Sequence, residues 1–400
     1  RDKSVPTGSF GAVFDDPHNQ TSDRRLSADV RYDWAATPAL DVTLRGYFDS
    51  YAFREGYAYA AEAPGAAPTL NADEDTGRWV GAEAKTVAQL GSGWLLVGGG
   101  EAKAHLLQQL RNYDLNGAEN LLDRRSSASG SLYAQLEAPL TRWLQAVLGL
   151  RYDHVPSVAD EVSPRLALLV TPWGGATVKA LYGRAFRPPN HSELHYQNPQ
   201  FWKPPVGLQP ERIATYELAL EQRLEGGLQF GGTVYRYDVR GLISDVTDPV
   251  DGLGTNANVG DVRGTGIEVE AQRRWSNGVG ARASWALQRA VDPATGVRLG
   301  NSPTSLGKLQ LHGPLGFWHL RGGAELLYVG ARTTTAGATA AEHLLLGLNL
   351  VAAGLASGSL DLSFGVRNAL GTSYGDPGYF MQDQVQQDGR SFRASAAWHF

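Results

Sequence analysis

The stretch Ser391-Phe392-Arg393-Ala394-Ser395-Ala396-Ala397-Trp398-His399-Phe400 decides the fold. Its odd positions are Ser391, Arg393, Ser395, Ala397 and His399. Its even positions are Phe392, Ala394, Ala396, Trp398 and Phe400. A period of two with one polar and one aromatic-tipped apolar face is a strand half in contact with an apolar phase. The terminal strand of a soluble sandwich has no reason to keep its aromatics on one face up to the final residue. In a transmembrane barrel aromatics sit at the membrane interfaces and a last strand must close the sheet, so segment 389–400 is expected to be that closing strand.

Working outward, the same scheme recurs along the chain. Leu26, Ala28, Val30, Tyr32 and Trp34 oppose Arg25, Ser27, Asp29, Arg31 and Asp33. After a short turn at Ala35–Pro38, Leu40, Val42, Leu44, Gly46 and Phe48 oppose Asp41, Thr43, Arg45, Tyr47 and Asp49. The two segments predict a hairpin. Further segments run 77–88, 94–104, 132–138, 143–153, 165–170, 177–186, 212–222, 228–240, 264–274, 279–288, 307–311, 318–328, 343–351 and 360–367, about seventeen strands in all. Tight connections alternate with longer ones, such as the polar stretch from Phe53 to Thr76 and the loop Arg187–Gln209. Lipid cannot satisfy irregular backbone, so a membrane barrel confines its length variation to one rim. The polar face, with Asp29, Arg31, Asp41, Arg45, Glu83, Lys85, Gln135, Glu137, Arg151, Glu217, Glu268, Glu270, Asp361, Arg367 and Arg393, is expected to line a wide lumen. A soluble sandwich with these residues in water is the competing reading of the same alternation.

Composition narrows the classes. Forty-eight glycines, 10% aromatic and 19% charged residues suit many short strands joined by turns. A net charge of -5 does not suggest a nucleic-acid partner. The absence of cysteine removes thiolate catalysis, disulfides and Cys-ligated zinc. The longest apolar run, Leu344–Ala356, is shorter than the ~20 residues of a spanning helix. The opening, Arg1–Thr21, shows no sustained period and is expected to be an extracellular loop, with no signal peptide at Arg1.

Three stretches resemble one family, the TonB-dependent receptors of the bacterial outer membrane. The first is Leu181-Tyr182-Gly183-Arg184-Ala185-Phe186-Arg187-Pro188-Pro189-Asn190, followed by Ser192-Glu193-Leu194, Asn198-Pro199, Leu208-Gln209-Pro210-Glu211 and Thr215-Tyr216-Glu217-Leu218. The second is Gly264-Thr265-Gly266-Ile267-Glu268-Val269-Glu270. The third is Val366-Arg367-Asn368-Ala369-Leu370, Tyr374, Asp376-Pro377 and Gln387-Asp388-Gly389-Arg390-Ser391-Phe392, ending on Phe400. Pro188 stands where the family usually has Ala, and Asn368-Ala369-Leu370 replaces Asn-Leu-Phe. These motifs span about residues 151–400, and the first 150 residues agree in pattern only.

The resemblance implies an all-β, antiparallel transmembrane barrel occupying 1–400, the C-terminal portion of the family's usual barrel. Bacterial barrels have even strand numbers, and the plugged class has 22, so about five further strands are expected before Arg1. It implies a bacterial outer-membrane receptor that takes up a scarce nutrient such as a ferric siderophore or cobalamin, with no covalent chemistry and no cofactor. Its partners would be outer-membrane lipid, a metal chelate or similar small ligand, the TonB complex through an N-terminal region absent here, and the assembly machinery through Phe392, Trp398 and Phe400. A passive plugless pore or a surface-binding barrel is the alternative, and a soluble multi-strand binding module a third.

The residues themselves offer one candidate ligand surface. Arg187, His191, His195, Tyr196, Phe201, Trp202 and Lys203 gather aromatics and cations in one loop, a combination that stacks on and grips a bulky anionic chelate. Tyr379 and Phe380 in a later loop are the next candidates. His191 and His195 have the spacing of a helical metal pair, but in a Pro-flanked loop they are expected to bind no metal. Asp73-Glu74-Asp75 lacks the spacing of a full calcium ligand set. No nucleophile elbow or phosphate loop stands out, and an enzyme is not expected.

Overall fold

The computed structural model describes residues 2–5, 11–61, 67–115, 117, 119–156, 158–317, 319–378 and 382–400. All seventeen strands expected from the alternation are present in one antiparallel sheet, and Asp2–Ser4 adds an eighteenth within the stretch read as loop. Its three residues pair with Gln20, Thr21 and Ser22. Each strand pairs only with its neighbours in sequence, giving a continuous meander from Asp2–Ser4 to Ser391–Trp398. No helix among the described residues is long and apolar enough to cross a membrane.

The strand registers carry the two faces across the whole sheet. One row runs Arg31, Arg45, Glu83, Glu101, Ser131, Asp153 and Glu161, each opposite the next. The adjacent row runs Tyr32, Leu44, Ala84, Gly100, Leu132, Tyr152 and Val162. Because the side-chain period is two, a slip of one residue anywhere would mix these rows. Arg31 and Arg45 face each other directly, and each is neutralised locally, Arg31 by Asp33 at 2.8 Å and Arg45 by Asp29 at 2.6 Å. Glu83 and Glu101 are also opposed, and accept the Tyr133 and Tyr47 hydroxyls at 3.4 and 2.5 Å.

The apolar face is not buried by protein. Val30 is 76% exposed and Leu132 66%, which excludes two stacked layers with a dry core and leaves lipid as the phase these side chains meet. Of the buried apolar residues, Tyr57, Ala58, Ala72, Leu110 and Leu121 lie toward the long-loop end of the taller strands, while Ala138, Ala146 and Ala176 lie at the short-turn end.

Those taller strands correct the sequence reading. The stretch from Phe53 to Thr76 is largely strand, because Leu40–Tyr59 and Thr69–Gly91 pair up to Tyr59 and Thr69. Likewise the segment read as starting at Leu132 begins at Glu119. A tilted strand crosses a bilayer in about 9–11 residues, so the 23 residues of Thr69–Gly91 rise well above it. Above the membrane the outward side need not be apolar, and the hydrophobic alternation fades while backbone pairing continues. A bulge at Leu106 adds to this. Trp79 pairs with His105 but Arg78 with Leu107, so odd residues of this strand face inward below the bulge and even ones, including Gln108 and Asn112, above it.

The expected sealing of the sheet on itself is not seen in the pairing. Among the described residues no ladder joins Ser391–Trp398 to Asp2–Ser4 or Gln20–Thr37. Alternation assigns faces, but it carries no information on which strand lies across an edge.

Inward aromatics lie flat over glycines on neighbouring strands. Tyr235 and Tyr237 stack with centroids 6.3 Å apart, and a Cβ on Gly264 would fall 2.1 Å from the Tyr237 ring. This explains physically the Gly264-Thr265-Gly266 motif. Gly264→Val is expected to displace Tyr237 and cost about 1–3 kcal/mol by overpacking. An unchanged urea midpoint in lipid nanodiscs would refute the close-approach account.

Candidate functional site on the lumenal wall

The loop between strands Ala176–Arg187 and Glu211–Arg223 turns inward. Its helix, His191–His195, starts with a capping box in which Asn190 Oδ1 accepts the Glu193 N–H at 2.8 Å and the Asn190 N–H donates to Glu193 Oε2 at 2.7 Å. Arg187 anchors the entry. Its Nε and Nη2 donate to Glu211 at 2.7 and 2.9 Å, and Nη1 donates to Glu193 at 2.9 Å. This guanidinium is therefore committed to the loop's own carboxylates.

The helix reaches the wall formed by the tall strands. His191 Nε2 lies 3.1 Å from Asp123 Oδ2, close but misaligned for a hydrogen bond, and the His191 and His195 rings meet edge-on at 4.8 Å. Burial, and then their cationic neighbours, hold both imidazoles below the ordinary histidine pKa and favour the neutral form. The Tyr196 hydroxyl donates to Asp73 Oδ1 at 3.4 Å. Asp73 also accepts from Asn112 Nδ2 at 2.8 Å, and Asn112 exchanges amide hydrogen bonds with Asn71 at 2.8 and 3.1 Å.

Asp73, Asp75 and Glu55 form an acidic patch on this wall. Glu55 lies fifteen positions after Leu40, and Asp73 and Asp75 lie eighteen and sixteen before Gly91, all beyond the bilayer crossing. Burial, reinforced by Asp73, raises Glu55 to about 7 and Asp75 to about 6, and burial alone raises Asp73. Glu74 takes the opposite face, where Arg54 and Arg111 approach it at 3.4 and 3.5 Å. Strand alternation thus separates the three acids of Asp73-Glu74-Asp75. Among the described residues no group of three or more His, Asp or Glu could hold a metal ion.

The sign of the pH effect follows from these shifts. A carboxyl with a raised folded pKa favours the fold while protonated, and that contribution is lost as pH rises from its ordinary value to its folded one. For Glu55 the window is 4.5 to about 7. Glu55→Gln is therefore expected to match the wild type near pH 4.5 and exceed it in stability at pH 8, read as hydrogen-exchange protection of residues 53–59. Equal protection of the two at both pH values would contradict the burial argument.

The far half of the loop braces against the hairpin of Ile243–Thr247 and Gly254–Asn258. Lys203 Nζ contacts Asp248 and lies 2.7 Å from Asp251, and the Trp202 ring covers Gly254. Backbone bonds join Lys203 to Gly254 and Gly254 to Phe201, each 2.9 Å. Phe201 remains 54% exposed. Of the sequence candidates, His191, His195 and Tyr196 come together on the lumenal wall, Arg187, Trp202 and Lys203 hold the loop, and Phe201 is free. Tyr379 and Phe380 lie outside the described residues. Phe392, Trp398 and Phe400 stand exposed at the sheet edge. Sequence reasoning missed Glu55, Asn112 and Asp123. Only the bulge at Leu106 brings Asn112 onto this wall, and a strict two-residue period misassigns it.

The family model for the TonB-dependent receptor-like β-barrel matches residues 3–369. The chain belongs to that family. Membership makes this receptor barrel a protein of the Gram-negative outer membrane, in a family of receptors and transporters rather than enzymes. Solved receptor structures share its fold. The copper transporter OprC is 17% identical with a TM-score of 0.75, over 96% of this chain and 66% of that one. The pyoverdine receptor FpvA of Pseudomonas aeruginosa is 14% identical with a TM-score of 0.73, over 95% and 62%. The ferric enterobactin receptor PfeA of Pseudomonas aeruginosa is 19% identical with a TM-score of 0.67, over 100% and 72%. The receptor barrel thus spans 62–72% of these structures. Among curated proteins none matches the sequence significantly.

Proposed function

We propose that this receptor barrel is the C-terminal part of an outer-membrane uptake receptor for a scarce nutrient, a ferric siderophore or a cobalamin-like chelate. The observation that carries this reading is the inward fold of the 187–211 loop, which brings His191, His195 and the Tyr196 ring against the lumenal wall and leaves Phe201 exposed on the loop's far half. Neutral imidazoles and aromatic faces suit the rim of a bulky chelate. The neighbours named for copper, enterobactin and pyoverdine support a metal or metal-chelate cargo. Translocation would draw on TonB through a region outside this chain, and assembly would use Ser391–Phe400 with its exposed Phe392, Trp398 and Phe400.

The test is calorimetric titration of the whole receptor with a panel of ferric siderophores and cobalamin, repeated with Phe201→Ala and with His191→Ala/His195→Ala. Binding of one chelate, weakened by both variants while heat-modifiable gel mobility is retained, is the expected result. A receptor that binds none of them, or binds equally in both variants, would refute the loop as the ligand surface. The second reading, a passive pore, rests on the continuous polar lumen row. Size-limited liposome swelling without energy coupling would favour it.

A further inference from the structure

Six arginines stand at outward positions of neighbouring strands within about four residues of one another in height; Arg212, opposite Arg240, is taken by Glu161, and five remain. Arg184 lies eight positions after Ala176, Arg236 and Arg240 eight and twelve after Leu228, Arg263 eleven before Arg274, and Arg289 nine after Gly280. Each count starts at a short-turn end, so the five lie within about one residue of where a crossing of about 9–11 residues ends, at the outer interface. Their outward direction follows from register. Arg236 is opposite Tyr216 and Thr265, Thr265 is opposite Arg289, and Arg263 is opposite Asp238. In the same alternation Leu218, Val234, Ile267 and Leu287 are the lipid-facing residues, 43–51% exposed.

Charge on this patch is unbalanced. Asp238 is the one carboxylate on these outward strand positions, and it takes Arg236 Nε at 2.8 Å and Arg263 Nε at 2.7 Å. Arg184, Arg240 and Arg289 make no side-chain hydrogen bond or ion pair among the described residues. Higher on the tall strands Arg54 and Arg111 are matched by Glu74 and Glu119, while Arg24 and Arg78 stand apart from one another on different strands without a side-chain hydrogen bond or ion pair among the described residues. Beside the arginines the Tyr182 and Tyr216 rings lie 5.1 Å apart on the outward face, the arrangement of an aromatic girdle at headgroup depth. A guanidinium at the edge of a low-dielectric slab retains its charge and offers a fork that matches phosphate oxygens.

We infer that this outward arginine patch is a docking site for the phosphate groups of an anionic lipid of the outer leaflet. Apolar Leu218, Val234 and Ile267 receive the acyl chains below, and the five guanidinium groups receive the phosphates above.

The test uses the whole receptor in nonionic detergent micelles, titrated with a diphosphorylated glycolipid, with the same glycolipid stripped of both phosphates, and with inorganic phosphate as competitor. Preference for the phosphorylated form is expected, and Arg236→Gln/Arg240→Gln/Arg263→Gln should weaken it roughly tenfold or more. Lysine at the same three positions should restore part of the loss. Arg24→Gln/Arg78→Gln, which removes two outward arginines thirteen positions from their short turns, should leave binding unchanged. If the triple variant loses heat-modifiable mobility, Arg184→Gln/Arg289→Gln carries the test, because these side chains have no protein partner to lose. Equal affinity for both glycolipids overturns the proposal, as does an unaffected arginine variant. Displacement of the lipid by inorganic phosphate at equal phosphate concentration would also overturn it, since the site would then be one for free phosphate.

Discussion

Leu218→Arg is expected to lower the stability of the barrel in a bilayer by about 2–4 kcal/mol, the cost of an arginine on the lipid face near the midplane. Leu218 is 51% exposed in the absence of lipid and lies five positions from the short-turn end at Arg223. The neighbouring change Glu217→Gln alters a lumenal position opposite Tyr235 and should leave stability nearly unchanged. The pair differs by one step along one strand, so unfolding in urea from lipid vesicles reads the alternation directly. Equal effects of the two changes, or greater damage from Glu217→Gln, would mean that the faces have been assigned the wrong way round. A water-soluble sheet that left Leu218 facing water at its 51% exposure would give a different result, since an arginine there would cost almost nothing.

Arg187→Met should release the inward loop. Arg187 is the common donor to Glu193 and Glu211, both largely shielded with side-chain exposures of 19% and 16%. Methionine keeps the length of the side chain but removes the charge, leaving two carboxylates without their shared counter-ion. Loss of charged hydrogen bonds of this kind costs about 1.5–3 kcal/mol each. Arg187 is itself 43% exposed, so water recovers part of that and the net local cost should be about 2–3 kcal/mol. Hydrogen exchange should then speed up across 190–203 and in the hairpin 243–258, which receives the Glu211 carboxylate at the Ile243 N–H, 2.8 Å away. Strand 176–187 should be protected as before. If the loop stayed protected, the capping box and the Lys203 contacts alone would be sufficient to hold it.

Arg187 also illustrates a limit of reading the loop by residue type. A cation among aromatics resembles a ligand grip, yet whether its charge is free depends on which carboxylates the fold brings to it. Glu211 is 24 residues away and Asp248 and Asp251 are 45 and 48 residues from Lys203, so no local pattern announces either brace. His191, His195 and Tyr196 were legible as candidates because they cluster in sequence. Their lumenal partners Asp123 and Asp73 were not, since those lie on strands distant in the chain.

The sequence by itself determined which side chains meet lipid and which meet water. Side-chain direction in a strand depends only on parity, as the alternations at 25–34 and 391–400 make plain. It determined the existence and order of the seventeen long strands for the same reason. Tertiary structure alone decided how far those strands rise above the bilayer, where a bulge at Leu106 reverses parity, and which way the 187–211 loop folds. These outcomes rest on backbone pairing and long-range charge contacts, whose energies depend on partners far away in the chain.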